Sequence, residues 1–245
     1  MDETSSDEGH APTDQEPSLL VRIEDDLPSW LRPVDGENRL TVALSIVVVA
    51  ALQVLLPRRF VLMPWHWVLP VAEVVLLLTL TVLNPVRLTR ETSAGRYLSL
   101  LLVAIVSADN GASAALLDTK LLRGTAGSEA GPLLAAAAAI YLTNIIAFAV
   151  WYWEFDRGGP FARARADSRY PDFLFPQMTQ DHLARPGWRP EYLDYLYVSL
   201  TNATAFSPTD TLPLTRWAKL LMALQSVIAL STTALVIARA INILK

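Results

Sequence analysis

The sequence predicts an all-α integral membrane protein with about five transmembrane helices and a re-entrant helix and loop before the last one. Three observations lead to this fold class. Hydrophobic residues make up 52% of the 245 residues and charged residues 18%, whereas soluble domains average roughly 45–50% and roughly 25%. Long stretches of the chain carry almost no charge. Tryptophans stand at the ends of those stretches, where a bilayer has its headgroups.

Residues 1–37 are predicted to form an acidic, largely disordered tail. They hold eleven of the 24 acidic residues and only two arginines, and they are poor in aliphatic side chains. A secretory signal starts with basic residues and continues into an apolar stretch, and this segment does neither. Within the tail, residues 18–23 and 27–34 are more apolar than the rest, and they fit short amphipathic segments on the membrane surface.

Five stretches approach the roughly 20 apolar residues that a membrane-crossing helix needs. They are residues 40–56, 65–83, 97–122, 132–153 and 217–244. The first three belong to an N-terminal membrane region, residues 38–131, and the other two to a C-terminal region, residues 132–245. The limits of the stretches agree with the positions of Trp65, Trp67, Trp151, Trp153 and Trp217.

A short helix is predicted between the last two spans. After the polar loop 154–189, residues 190–206 open with proline and glutamate, which is a favourable helix start. About 15 helical residues cover about 22 Å, which is too little to cross a bilayer. A loop, residues 207–215, then leads into the last helix, residues 216–245. We interpret the short helix and its loop as a re-entrant segment; an amphipathic helix on the membrane surface is the alternative.

The C-terminal region resembles the pore module of the potassium-channel superfamily. The matching residues are Pro190-x-Tyr192-x-Asp194-Tyr195-Leu196-Tyr197-x-Ser199, then Asp210-x-x-Pro213-x-Thr215, and Asn242. The whole chain resembles a bacterial family of uncharacterised multi-pass membrane proteins with such a C-terminal half. The resemblance implies an outer helix (132–153), a pore helix (190–206), a filter loop (207–215) and an inner helix (216–245). It also implies a homo-oligomer, specifically a tetramer, that conducts a monovalent cation across the bacterial plasma membrane.

The filter-like positions depart from the potassium-channel pattern. A potassium filter uses glycines so that backbone carbonyls line the pore, and Ser207, Pro208 and Thr209 occupy those places here. Pro208 restricts Ser207 to extended conformations, and a β-branched threonine resists positive φ. The loop instead offers a ring of hydroxyls, including that of Thr204, with Asp210 at its mouth. We therefore expect weakly selective cation conduction, or an inherited shape that does not conduct.

A stripe of small and polar residues runs along the last helix. Its members lie on one face, several of them at heptad spacing: Ala218, Gln225, Ala229, Thr232, Val236 and Arg239. In a membrane such a stripe faces protein or water rather than lipid. One interpretation is that all of them except Ala218 line a pore. The other is a packing seam in which Gln225 and Thr232 bond neighbouring helices. Arg239 opposes cation flow unless its side chain extends to the membrane interface.

Four further polar residues lie inside the apolar stretches: Glu73, Asp109, Asn110 and Asn144. Ionisable groups at membrane depth are costly and mark functional sites by default. Glu73 and Asp109 fit a proton or cation relay, or pairing with an arginine from a neighbouring segment. Asp109 and Asn110, followed by Gly111, also fit a break of the third span into two half-helices. The alternative is that the asparagines bond helix to helix and that Asp109 lies near a surface.

The sequence argues against an enzyme, a metal centre and a nucleic-acid binder. It has no cysteine, and His10, His66 and His182 lack the spacing of metal ligands. It also lacks a serine nucleophile elbow and a phosphate-binding glycine loop. The arginines of residues 154–189 are interleaved with acids, which favours contact with lipid headgroups over nucleic acid. We expect no cofactor, and we expect the lipid bilayer as a partner.

Charge counting gives a conflict about sidedness. Five spans put the acidic tail and Lys245 on opposite faces of the membrane. A cytoplasmic tail gathers most arginines in the cytoplasm, including the six of residues 154–189, as the positive-inside rule favours. Pore loops of the potassium-channel type enter from the outside, which demands the reverse orientation.

Three functions therefore stay open, and the sequence favours them in the following order. The first is a channel-like protein. The second is a non-conducting scaffold or accessory subunit that has the same fold and whose acidic tail recruits partners. The third is a transporter of small solutes or ions that uses Glu73 and Asp109.

Overall fold

A computed structural model describes residues 27–34, 36–57, 60, 67–83, 93–127, 129–180, 182, 184–204 and 211–243. This part of the chain is 76% helical. The α-helices are α1 (Leu40–Leu55), α2 (Val68–Leu83), α3 (Ser93–Leu122), α4 (Ala130–Phe155), α5 (Pro160–Ala164), α6 (Pro176–Thr179), α7 (Tyr192–Ala203) and α8 (Arg216–Ile243). Two short strands, β1 (Phe173–Leu174) and β2 (Leu212–Pro213), pair antiparallel.

Three of the helices, α3, α4 and α8, are long and apolar enough to cross a membrane. They correspond to the third, fourth and fifth predicted spans. Helices α1 and α2 are also apolar, but each has 16 residues, fewer than the roughly 20 that a crossing needs. The helices therefore suit a membrane protein, and the first two of the five predicted spans are not confirmed as membrane crossings.

Helix α3 continues without a break through Asp109, Asn110 and Gly111. The alternative that these residues divide the third span into two half-helices is therefore wrong. A glycine within a helix costs only about 1 kcal/mol relative to alanine, and the apolar residues before and after it favour a continuous helix. Asp109 bonds a side chain of α1, and Asn110 faces a small cavity that α4 also lines.

Helices α1 to α4 form a four-helix bundle. Helix α1 packs against α2 and α4, and α3 packs against the same two helices from the other side. The interior of the bundle includes the buried side chains of Ile46, Val49, Val103 and Val106. Helix α4 is shared, because its opposite face packs against α7 and α8.

The start of α1, the end of α2, the start of α3 and the end of α4 meet at one end of this bundle, here called the polar end. Arg39 donates from Nη1 to the Leu80 carbonyl (2.5 Å), and Arg96 donates from Nη1 to the Gly158 carbonyl (2.6 Å). The first bond joins α1 to α2, and the second joins α3 to the chain that follows α4. Charged side chains therefore fasten the helix ends together on this side.

Buried charges also organise the loop that follows α4. Asp156 is fully buried, and it accepts hydrogen bonds from the Tyr195 hydroxyl (2.6 Å) and the Asp172 amide (2.8 Å). Arg157 donates from Nη1 to the Trp30 carbonyl (2.8 Å). Residues far apart in sequence thus meet at the polar end, and β1 and the start of α7 lie there too.

Part of the predicted tail belongs to this folded region. Ser29–Leu31 forms a short 3-10 turn, and the Ser29 hydroxyl donates to the Trp188 carbonyl (2.6 Å). The Val34 amide donates to the Ala164 carbonyl (2.8 Å). The folded chain therefore begins before the predicted boundary at residue 37, because these residues find partners in the loop after α4.

Helix α7 lies between α4 and α8 and is shorter than the predicted helix 190–206. It begins at the polar end and runs inward, where the Ser199 hydroxyl donates to the Ile145 carbonyl of α4 (2.6 Å). The chain then returns, because β2 pairs with β1 at the polar end. Residues 205–210, which connect α7 to this return, lie outside the described residues.

Candidate functional site

A glutamine connects two carboxylates in the interior of the four-helix bundle. Nε2 of Gln53, on α1, donates to Oε1 of Glu73 on α2 (3.0 Å) and to Oδ2 of Asp109 on α3 (3.1 Å). Because each residue comes from a different helix, this carboxylate cluster forms only in the folded bundle. The structure thus brings together the two acids that the sequence indicated as a relay, and it adds Gln53 between them.

The carboxylate cluster is mostly buried and incompletely bonded. Glu73 is 0% exposed and Gln53 is 7% exposed, whereas Asp109 is half-buried. Within the described ranges, Glu73 Oε2 and Gln53 Oε1 have no hydrogen-bond partner. No cationic side chain of those ranges has an electrostatic interaction with the carboxyl group of Glu73 or Asp109. The predicted alternative, an arginine partner for these acids, is therefore not found in the described part of the chain.

With both carboxyl groups ionised, the carboxylate cluster lacks a positive charge among its own residues. Two ionised carboxylates near one amide repel each other strongly where the dielectric constant is low. Gln53 supplies two N–H donors but no charge, so it orients the two acids without neutralising them. A proton on one carboxyl group, or a small monovalent cation between the two, supplies the missing charge. Such a site can bind and release an ion, and intramembrane acids commonly mark ion pathways.

A cavity of about 10 Å³ adjoins the carboxylate cluster. Its polar lining consists of Gln53, Asp109, Asn110, Ser113 and Thr143. This volume is about the minimum that one water molecule requires. The predicted residue Asn110 thus belongs to the surroundings of the cluster, and α3 and α4 provide hydrogen-bonding groups beside Asp109.

Asn144, on α4, is the last of the predicted intramembrane polar residues. It is buried, and neither Nδ2 nor Oδ1 has a hydrogen-bond partner among the described residues. The helix-to-helix bond predicted for it is therefore not formed there. It directly follows Thr143, which lines the small cavity, so its amide lies on the neighbouring face of α4.

The predicted stripe on α8 faces the interior of the chain. Its buried members are Ala218, Gln225, Ala229, Thr232 and Val236. Thr232 Oγ1 lies 3.5 Å from Oδ2 of Asp118 on α3. Arg239 donates from Nη2 to the Gly127 carbonyl (3.1 Å), in the connection between α3 and α4. These contacts favour the packing interpretation of the stripe over a pore lining.

Gln225 is the centre of that packing seam. Its Oε1 accepts from the Tyr152 hydroxyl (2.6 Å) and from Asn202 Nδ2 (2.8 Å). Its Nε2 donates to the Ser199 carbonyl (3.0 Å) and hydroxyl (2.7 Å). The amide therefore uses its full bonding capacity to hold α7 between α4 and α8. Such a satisfied buried network makes the position structural.

Thr204 is the one predicted filter residue within the described ranges. Its hydroxyl donates to the carbonyls of Leu200 (3.0 Å) and Thr201 (3.1 Å) on its own helix. Ser207, Pro208, Thr209 and Asp210 lie outside the described residues. The hydroxyl ring stays a prediction.

Gln53 was not among the predicted site residues, although the sequence carries a signal for it. It is the only amide side chain in residues 40–56. An amide inside an apolar span needs a partner from another helix, since lipid offers none. Ser113 and Thr143 give no comparable signal, because a hydroxyl in a helix can bond its own backbone.

Neither protein-family models nor curated proteins nor solved structures match this chain. The function of the carboxylate cluster is therefore inferred from its own chemistry.

Proposed function

We propose that this protein is an integral membrane protein that moves protons or small monovalent cations, with Glu73 and Asp109 as its ion-binding groups. The observation that carries this proposal is the Gln53 amide held between the buried Glu73 carboxylate and the half-buried Asp109 carboxylate. It favours the transporter, the third of the functions that the sequence left open. The proposed location is the bacterial plasma membrane, where the apolar helices contact lipid.

The lengths of α1 and α2 support this function. A helix of 16 residues covers about 24 Å, which is less than the hydrocarbon thickness of about 30 Å. The ends of these two helices therefore bring polar groups and water closer to the carboxylate cluster than full-length spans would. An ion that reaches the cluster has a shorter apolar distance to cross.

Proton flux into proteoliposomes that enclose a pH-sensitive dye tests the proposal. A potassium gradient with valinomycin sets the membrane potential. The near-isosteric substitutions Glu73→Gln and Asp109→Asn each remove one ionisable group while they keep the hydrogen-bonding shape. We expect each to lower the flux about tenfold or more, which corresponds to about 1.4 kcal/mol or more in the barrier. Sodium- and potassium-sensitive dyes measure cation flux in matched vesicles without valinomycin.

Asp118→Asn is the matched control. Asp118 is a second carboxylate on α3, and it bonds the Ser231 hydroxyl (3.0 Å) instead of another acid. We expect this substitution to leave the flux unchanged. Equal losses in all three variants, or unchanged flux in Glu73→Gln and Asp109→Asn, contradict the proposal.

A pore in the C-terminal region is the second candidate, and the course of α7 favours it. The helix runs inward from the polar end and the chain returns to that end at β2, as a re-entrant helix and loop would. In this alternative, the C-terminal region forms a weakly selective cation path between the subunits of an oligomer, a tetramer by resemblance.

Thiol labelling tests the second candidate, because the natural chain has no cysteine. With a re-entrant loop, single cysteines introduced at Ser207 and His182 react with an impermeant reagent from the same face. Cation flux that survives Glu73→Gln and Asp109→Asn then favours the pore. No flux at all, together with a tail that captures cytosolic partners, favours the non-conducting scaffold.

A further inference from the structure

A second cavity, of about 40 Å³, opens at the polar end of the four-helix bundle. Its polar lining consists of Arg39, Arg96, Ser99 and Glu154, and apolar side chains from all four helices line the remainder. The Ser99 hydroxyl donates a hydrogen bond to Glu154 Oε1. Since one water needs roughly 10–15 Å³, the cavity has room for about two to four waters next to a carboxyl group and a hydroxyl.

The polar-end cavity offers a metal cation too few ligands. Among its lining side chains only those of Ser99 and Glu154 carry oxygen atoms, and Arg39 and Arg96 add positive charge. A metal cation that gives up its water shell needs several oxygen ligands in its place. A proton needs no such set of ligands, because it passes from group to group through hydrogen bonds of water, hydroxyl and carboxyl.

The polar-end cavity leads toward the carboxylate cluster. On α2 its lining ends at Leu77, four residues from Glu73, and on α3 it ends at Val103, six residues from Asp109. At 1.5 Å per helical residue these intervals are about 6 and about 9 Å. The side chains of Val49 and Val106 lie between the cavity and the carboxylate cluster, and both are 0% exposed. An apolar layer of one to two helical turns therefore separates the cavity from the acids.

We infer that protons, and not metal cations, reach the carboxylate cluster from the polar end through this cavity, with the apolar layer as a gate. The inference rests on the proposed function of the cluster and narrows its substrate to H⁺. Glu154 receives the proton at the mouth. The layer that includes Val49 and Val106 interrupts the water path until the helices separate. The small cavity beside Asn110 lies beyond the cluster and provides the way out toward the other face.

Cysteine accessibility tests the access path without measuring transport. Single cysteines are introduced at Ser99 and Val106 of the full-length protein in vesicles of known orientation. Tyr170→Cys marks the polar-end face and Leu122→Cys marks the opposite face, because both positions are exposed. We expect a small impermeant thiol reagent to modify Ser99→Cys from the Tyr170 face and to leave Val106→Cys unmodified. An unreactive Ser99→Cys, or a Val106→Cys that reacts equally fast, overturns the inference.

Filling the cavity tests the same path by flux. Ala43 lines the polar-end cavity, so Ala43→Trp is expected to lower proton flux about tenfold or more. Ala51→Trp is the matched control, since Ala51 lies on the exposed face of the same helix. Thermal unfolding of both variants shows whether they fold. A folded Ala43→Trp with normal proton flux, or sodium flux as fast as proton flux in the natural protein, overturns the inference.

The access path and the proposed function can fail independently of each other. If Glu73→Gln abolishes flux while Ser99→Cys is unreactive, the access path is wrong and the proposed function stands. If Ser99→Cys reacts as expected but the natural protein moves no protons, the proposed function fails and the inference fails with it.

Discussion

Arg163 and Glu37, 126 residues apart in sequence, form a buried ion pair with two parallel hydrogen bonds, Nε–Oε1 at 2.8 Å and Nη2–Oε2 at 2.9 Å. Burial alone would lower the pKa of the Arg163 guanidinium, but the Glu37 carboxylate raises it above its ordinary value. Glu37 Oε2 also accepts from Trp153 Nε1 (2.7 Å). The pair thus fastens the segment before α1 to the loop after α4, beside the polar-end cavity.

Removing one partner of this pair is expected to destabilise the protein strongly. Arg163→Ala leaves the Glu37 carboxylate buried without its cation, which costs about 3–5 kcal/mol in the free energy of unfolding. The measurement is denaturant or thermal unfolding in detergent. The matched control is Arg165→Ala, whose pair with Asp167 is about half exposed, with side chains 53% and 48% exposed; its expected cost is below about 1 kcal/mol. Similar costs for both variants would contradict this account.

Tyr195→Phe is expected to loosen the contact between α7 and the end of α4. The Tyr195 hydroxyl donates to the buried Asp156 carboxylate at 2.6 Å, and the loss of a hydrogen bond to a charged acceptor costs about 1.5–3 kcal/mol. Tyr197→Phe, two residues further on, removes a hydroxyl from a side chain that is 59% exposed and is expected to change little. Equal unfolding midpoints for the two variants would show that the Asp156 bond is not stabilising.

The long helices were predictable because their signal is local. Long and mostly apolar stretches indicate α3, α4 and α8, and each of these helices is long enough to cross a membrane. The carboxylate cluster was predictable in part: Glu73 and Asp109 were identified because a charge at membrane depth is costly. Their connection through Gln53 was not, because it depends on which helices pack side by side.

The contacts at the polar end were not predictable, because no local sequence pattern indicates them. Glu37 stands in a segment whose composition is that of a disordered tail, and no local pattern indicates that Arg163 is its partner. The stripe on α8 was correctly located, but heptad spacing shows only that a face is distinct. It does not show whether that face meets another subunit or, as Gln225 does, the helices of its own chain.

Gln225→Leu is expected to destabilise the protein without changing its proton flux. The substitution leaves the Tyr152 hydroxyl without its acceptor in a buried seam, and Asn202 Nδ2 keeps only the Met222 carbonyl, at a cost of about 2 kcal/mol or more. Proton flux per folded molecule is expected to stay unchanged, because the seam lies on the opposite side of α4 from the carboxylate cluster. Leu224→Ala, at a 52% exposed neighbour, is the control for stability. Full stability with altered ion selectivity would instead identify Gln225 as a pore-lining residue.

Asn144→Leu is expected to stabilise the protein. Both amide atoms of Asn144 are buried without a partner among the described residues, and replacing an unsatisfied polar group by an apolar one of similar shape removes a penalty of about 1–3 kcal/mol. Thr143→Val, at the adjacent cavity-lining position, is the comparison, because it removes a hydroxyl from the cavity beside the carboxylate cluster. The measurement pairs the unfolding midpoint with proton flux. A higher midpoint with normal flux for Asn144→Leu is the expected result. A lower midpoint together with lost flux would mean that the Asn144 amide binds water or the transported ion.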